Sequence, residues 1–328
     1  MRIKRILPAI WLFAIMTPLF FSCGRHKSSG YDDQGNLHGR ISISGAWAMY
    51  PLAVLWAEEF RREHPGVQID ISAGGAGKGM ADALSNMVDI AMVSRDITRA
   101  EKDKGAWYIG VAKDAVLPTF SANNPYRSDL LRQGLTREQF SEVFIAGGRK
   151  TWEALLGKSG NTVINVYTRS DACGAAEMWA HFLGKNQEDL NGIGVFGDPG
   201  IADVVKKDRL GMGYNNIAFA YDIGTRKPFP GLEIIPVDVN GNGIIDPEEA
   251  FYDKLDMLVE AIAQGRYPSP PARELYFVSN GVPDNIAAIE FLRWILSKGQ
   301  AYVGQAGYVA LPAETLERHL ESLPHTTN

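Results

Sequence analysis

The chain is 328 residues long, which suits one large domain or two lobes of ordinary size. Hydrophobic residues make up 45% and charged residues 22%, a balance that supports a sizeable core in a globular protein. The net charge of −5, with no basic stripe along the chain, argues against a nucleic-acid partner.

At the N-terminus Arg2, Lys4 and Arg5 precede a mostly apolar run from Ile6 to Phe21, followed by Ser22-Cys23-Gly24. This is the pattern of a secretory signal, too short and too interrupted by Pro8 and Pro18 for a permanent span. A plain cleaved signal or an anchor helix is the alternative. Phe20-Phe21-Ser22-Cys23 resembles a bacterial lipobox, with Phe20 where Leu is usual. Residues 1–22 are therefore expected to be a signal peptide, and Cys23 the acylated first residue of the mature chain. Residues 23–39 are expected to be a polar tether. Acyl chains, palmitate among them, would hold the chain to a membrane at ~0.8 kcal/mol per buried CH₂. With Cys23 lipidated, Cys173 has no disulfide partner.

Beyond the tether, Ile41 and Ile43 alternate with serines as in a strand. Leu52, Leu55, Trp56 and Phe60 recur at helical spacing until His64-Pro65-Gly66 stops them. Val67, Ile69 and Ile71 predict a second strand. The glycine-rich turn over 74–79 opens a helix that ends near Met87, and residues 89–93 predict a third strand. A strand over 116–120 runs into Asn123-Asn124-Pro125, a crossover into a second lobe. That lobe takes in the apolar stretch 140–145, a strand over 163–167, a helix over 175–183 and the segment 211–220. Residues 273–279 read as a returning strand, and Ile286, Ile289, Leu292 and Leu296 as one face of the last helix. The fold class is α/β, with two lobes that are each a mostly parallel sheet flanked by helices, joined by two crossover strands. Lobe I is expected over 40–118 plus 272–328, and lobe II over 119–271.

Three turns share one physical logic, a strand passing through glycine into a helix start: Gly45-Ala46-Trp47, Gly74 to Gly79, and Cys173-Gly174-Ala175. Helix starts expose unpaired N–H groups and partial positive charge, and glycine lets a ligand approach the backbone. Together they place an anion-binding cleft at the carboxyl ends of the strands. The second turn is not a nucleotide phosphate loop, because Lys78 precedes Gly79 rather than Ser or Thr. Cys173 and His181 do not make a catalytic pair, since no orienting acid accompanies them, so no enzyme is expected.

The run ISISGAWAMYPLAVLWAEEF resembles the opening of periplasmic phosphate-binding proteins, the substrate-binding components of phosphate ABC transporters. AGGAGKGMADAL with VDIAMVSRDIT, YTRSDACGAAEMWAHFL, and FLRWILSKGQAYVGQAGYVALP are similar to three further motifs of that family, in order, from about Arg40 to Leu311. The resemblance implies a type 2 periplasmic-binding-protein fold that closes on phosphate and delivers it to a membrane permease as a monomer. It places Arg169 on the ligand, a structural ion pair being the alternative, and Arg95 as a second fork or another ion pair. Trp47 is either core packing or the roof of the cleft. The family's hydroxyl ligands are absent, because Ala46 and Trp47, Ala76, and Cys173 and Ala175 stand where Ser and Thr are expected. Each lost donor removes ~0.5–1.5 kcal/mol. The same scaffold serving a different anion, as a sensor or adhesion module, is therefore the second reading.

Residues 238–249, DVNGNGIIDPEE, fit the twelve-residue calcium loop of an EF-hand, the alternative being a metal-free Asn-Gly turn. Asp238, Asn240 and Asn242 offer side-chain oxygens, Ile244 a carbonyl, Asp246 a direct or water-mediated ligand and Glu249 a bidentate carboxylate, with Gly243 at the sharp turn. A strand-like stretch rather than a helix precedes the loop, so calcium is expected to act as a structural staple rather than a sensor.

Overall fold

Residues 29–148 and 150–326 are described in the computed structural model of the protein. The signal segment and Cys23 lie outside them. Among the described residues no helix is long and apolar enough to cross a membrane.

The chain opens with an antiparallel hairpin, β1 (Gly30–Tyr31) against β2 (Leu37–Gly45). This corrects the expected tether, whose residues 30–39 are folded. Asp32 Oδ1 accepts the N–H groups of Gln34 and Asn36 at 2.9 and 2.8 Å, which closes the turn, and Leu37 is only 3% exposed in the core. The polarity of the turn residues hid this fold. Pro51 lies in the first turn of α1 (Tyr50–Glu63), where its missing N–H costs nothing, and the helix buries Leu52, Trp56 and Phe60. β3 (Gly66–Ala73), α2 (Ala76–Leu84), β4 (Ile90–Val93) and α3 (Arg99–Asp103) complete the first run of lobe I. β2 pairs in parallel with both β3 and β4, as the alternating pattern predicts.

β5 (Ala106–Ser121) is a sixteen-residue strand that leaves lobe I and enters lobe II. Lobe II then runs through α4 (Arg127–Gln133), α5 (Arg137–Phe144), α6 (Trp152–Leu155), β6 (Asn165–Arg169), α7 (Gly174–Phe182), β7 (Ile193–Val195), α8 (Gly197–Lys207), β8 (Gly211–Asn216) and α9 (Ile217–Ala220). The short β9 (Tyr221–Asp222), β10 (Lys227–Pro228) and β11 (Leu232–Ile234) follow, then α10 (Leu255–Ala263). β12 (Ala272–Asn280) returns antiparallel along β5, and α11 (Ile286–Leu296) and α12 (Ala313–Glu321) close lobe I.

A ten-stranded sheet runs through both lobes, with β12 and β5 at its centre. One core gathers Ile41, Trp56, Phe60, Phe277 and Phe291, and the other Phe120, Phe140, Trp179 and Tyr214. The cores divide between Ala112 and Ala115 on β5 and between Ala272 and Leu275 on β12. Two paired strands are thus the covalent connection between lobes, and the turns at the ends of β2, β3, β4 and β6 face one another across the seam.

Candidate functional site

The three glycine turns meet at the lobe seam. Gly75 carries φ 93° at the N-cap of α2, and a Cβ there would lie 2.7 Å from the carbonyl oxygen of Ala172 in lobe II. Only glycine meets both conditions without strain. Gly77 N–H donates across the seam to that same carbonyl at 3.2 Å. Gly174 opens α7 directly against lobe I, where a Cβ would lie 2.3 Å from the carbonyl oxygen of Ser94. Ala46, Ala76 and Ala175 are buried beside these contacts, and none offers a side-chain donor. The amide of Ala46 is spent on the carbonyl of Met92 at 2.8 Å.

Trp47 lies at the seam. It is half-buried and packs edge-on against Phe196 and Phe219 of lobe II, with ring centroids 6.2 and 6.4 Å apart. Its indole N–H has no hydrogen-bond partner among the described residues.

Arg169, at the end of β6, is held in a buried ion cluster. Nε and Nη2 form a fork on Asp171 at 2.7 and 2.5 Å, and Nη1 donates to Asp198 at 2.5 Å. The Arg169 and Asp198 side chains are 1% and 0% exposed. Burial disfavours the guanidinium charge, but Asp198 and Asp171 outweigh that and hold its pKa above the ordinary arginine value. Three of its five N–H groups are committed to these two carboxylates.

Arg95 is held in ion pairs. Its two terminal nitrogens clasp Glu101 at 3.0 and 2.6 Å, and Nε reaches Glu177 of lobe II at 3.1 Å. Glu101 is itself fixed in the capping box of α3 with Thr98. Arg95 and Glu177 therefore strap the lobes together beside a cavity of 290 Å³, which Gly77, Ala172, Cys173 and His181 also line.

Cys173 caps α7, its Sγ accepting the N–H of Ala176 at 3.5 Å. Burial pushes its thiol up to about 12, which leaves no thiolate for nucleophilic work.

Sequence reasoning missed Asp198, Asp114 and Arg273. Asp198 accepts the N–H of Asn216 at 2.9 Å, and Arg273 on β12 faces Asp114 on β5. The readable signal was a lone acid, Asp114, inside a strand of apolar residues.

The 238–249 loop lies away from the seam. Asp238 accepts the N–H groups of Gly241 and Gly243 at 2.7 and 2.9 Å, and Glu249 that of Val239 at 2.9 Å. Asp246 receives the side-chain amides of Asn240 and Asn242 at 2.8 and 2.9 Å, while Ile244 is half exposed. Asp238 and Glu249 are 3% and 7% exposed, and among the described residues no Lys or Arg pairs with either. No group of three or more His, Cys, Asp or Glu side chains among the described residues is arranged to hold a metal ion.

The model of the PBP superfamily domain matches residues 29–298, and the chain belongs to that superfamily. The phosphate-binding protein PstS of Staphylococcus aureus strain USA300 is 24% identical over 314 residues, covering 94% of this chain and 88% of its own length. PstS of Staphylococcus epidermidis is 24% identical over 312 residues, covering 93% and 89%. Among solved structures, a candidate phosphate ABC transporter substrate-binding protein from Clostridium perfringens, with bound phosphate, superposes with a TM-score of 0.66 at 22% identity, covering 84% of this chain and 100% of that one. An ABC-type phosphate transport receptor from Vibrio cholerae gives 0.60 at 18%, covering 83% and 100%. These structures share the two-lobed α/β fold.

Arg169→Ala is expected to lower unfolding stability by ~3–5 kcal/mol, because it strands Asp171 and Asp198 without their cation. Urea denaturation measures it. Arg169→Lys is expected to recover only part of the loss, since an ammonium cannot hold the fork on Asp171 and reach Asp198 together.

Proposed function

We propose that this member of the PBP superfamily is an exported, lipid-anchored solute-binding protein, not an enzyme, that captures an oxyanion for an ABC importer. Phosphate is the first ligand to test, because the relatives that match nearly the whole chain carry that ligand in their names. The observation that carries the reading is the convergence of three glycine turns and the Arg169 cluster on one seam between two lobes. Backbone N–H groups and the uncommitted N–H groups of Arg169 would hold the anion.

The second reading, another anion in a sensor or adhesion role, draws on the same turns. Ala46, Trp47, Ala76, Cys173 and Ala175 supply no hydroxyl, and the Arg95 fork is committed to Glu101. Calorimetry of the mature chain against phosphate, sulfate, molybdate and small organic acids separates the two. Phosphate is expected to bind with modest selectivity, each missing donor costing ~0.5–1.5 kcal/mol, or up to about tenfold in affinity. Binding of an organic acid in preference to every inorganic oxyanion would favour the second reading, and no binding of any oxyanion would defeat transport.

Calcium at 238–249 is part of the proposal. An oxygen-only donor set and two buried carboxylates without a basic partner among the described residues support it, although the three carboxylates would have to draw in around the ion. Calcium at a hundredfold excess over its Kd is expected to add about 2.7 kcal/mol of stability. Chelator should remove that gain in thermal melts, and Glu249→Gln should lack it from the start. Equal melting of wild type and variant in calcium and in chelator would reduce the loop to a turn.

The anchor rests on the lipobox-like stretch ending at Cys23. Wild type is expected to fractionate with membranes and to carry a diacylglycerol mass on Cys23, and Cys23→Ala is expected to lose both. A variant that stays equally membrane-bound would rule out lipidation as the tether.

A further inference from the structure

Asp114 and Arg273 lie opposite each other in register on β5 and β12, the two strands that join the lobes. Both side chains are buried, at 0% and 3% exposure. Arg273 Nε donates to the Ser94 carbonyl of lobe I at 3.2 Å, and Nη2 donates to Asn216 Oδ1 of lobe II. Its approach to Asp114 is long, at 3.3 Å. Asp114 Oδ2 and Arg273 Nη1 are both left without a hydrogen-bond partner. This pair sits directly behind the ligand turns. The Ser94 carbonyl that takes Arg273 is the one against which Gly174 packs, and Asn216 donates its N–H to Asp198, the partner of Arg169.

The charges in this buried cluster do not balance. Asp114, Asp171 and Asp198 stand against Arg169 and Arg273, three negative against two positive, a net of −1 when all are ionised. The other groups that face Asp114 are neutral or weakly polar. Ile217 N–H donates to its Oδ1 at 3.4 Å and Ala115 N–H also reaches it. Tyr308 and Tyr267 lie close by, but their hydroxyls donate to the carbonyls of Ala48 and Val116. An oxyanion arriving at the seam adds negative charge to a buried cluster already in excess of it. In a poorly hydrated interior that is unfavourable unless a proton comes too. Asp171 holds a guanidinium fork and Asp198 a close guanidinium contact, so Asp114 is the carboxylate with least compensation.

We propose that Asp114 is a proton-uptake site coupled to anion capture: as an oxyanion binds at the seam, Asp114 takes a proton from solvent onto Oδ2, and Arg273 is left to face the ligand's charge. No other bond forms or breaks. The inference rests on the oxyanion reading. Burial already pushes the Asp114 carboxyl up to about 6 and Asp198 adds to this, while Arg273 and the N–H groups of Ala115 and Ile217 oppose it. A bound anion raises it further.

The test compares wild type with Asp114→Asn, which keeps the acceptor for Ile217 and brings the cluster to two positive against two negative. Calorimetry with inorganic phosphate at pH 7, in buffers of different ionisation enthalpy, counts protons taken up, and subtracting the variant cancels phosphate's own titration. Wild type is expected to take up at least ~0.5 proton more per phosphate, and to gain affinity as pH falls from 8 to 6, by up to about tenfold per pH unit. Equal uptake in the two proteins overturns the inference, as does an excess that disappears in Glu177→Gln instead. The ligand-free proteins give a separate reading. The raised carboxyl costs stability once ionised, so wild-type stability relative to the variant falls as pH rises from about 4 to about 6 and stays lower above that. A difference that does not change with pH overturns the proton site. Absence of phosphate binding at every temperature tested overturns phosphate as the ligand and the coupling with it, while the ligand-free titration still decides whether Asp114 is the buried proton acceptor. Should Asp114→Asn fail to fold, carboxyl-carbon NMR of wild type decides: the Asp114 midpoint must rise when phosphate is added, and a fixed midpoint overturns the inference.

Discussion

The Arg169 guanidinium, enclosed by Asp171 and Asp198, is the interaction on which the lobe II side of the seam depends. It ties the end of β6 to the loop after it and to the start of α8. Asp171 then accepts the N–H of Gly197, which sets that helix start under the Trp47 ring, and Asp198 accepts the N–H of Asn216. Burying ions costs several kcal/mol for each one, so such a cluster persists only while every partner stays in place. That all-or-none character keeps the lobe II side of the seam rigid.

The close approach of the lobes depends on the absence of side chains. Gly75 and Gly174 let backbone touch backbone at points where any Cβ would collide, so the second and third turns seat on Ala172 and Ser94. Trp47, Phe196 and Phe219 seal the neighbouring stretch with aromatic edges, and the Arg95–Glu177 pair straps the rim. Contacts of these three kinds respond differently to solvent. Salt screens the partly buried ion pair to some degree, whereas the uncharged backbone and aromatic contacts are not subject to that screening.

The elements legible in the sequence were those with a clean period or, for β4, an unbroken apolar run. The β2, β3 and β4 strands and the α1, α7 and α11 helices announce themselves through Ile43, Ile69, Trp56, Trp179 and Leu292, each buried on the expected face. The hairpin at 30–37 did not, because two-residue strands carry no period and Asp32 and Gly35 read as linker. The glycine turns were legible as turns, since glycine has few other uses before a helix. What fills the space between them was not. Whether Arg169 and Arg95 point at a ligand or at carboxylates depends on Asp198, 29 residues away, and on Glu101 and Glu177 from two different lobes. Such partners are set by the fold, and no local spacing encodes them. Arg273 and Asp114 pair across 159 residues for the same reason.

The connection between lobes is two strands lying side by side, paired from Ala272–Ala115 to Asn280–Ala106, with an irregularity in register between Leu275 and Tyr276. A ribbon of this kind is stiff in its own plane, where hydrogen bonds resist sliding, and compliant across it. The lobes are thus set to fold about this ribbon like covers about a spine, without shearing past each other. The register break falls beside the boundary between the two cores, the point of the ribbon least braced by either one. Chain length added anywhere else in either lobe leaves that axis untouched, whereas a single residue inserted into β5 or β12 would rotate one cover relative to the other and put the glycine turns out of reach of each other.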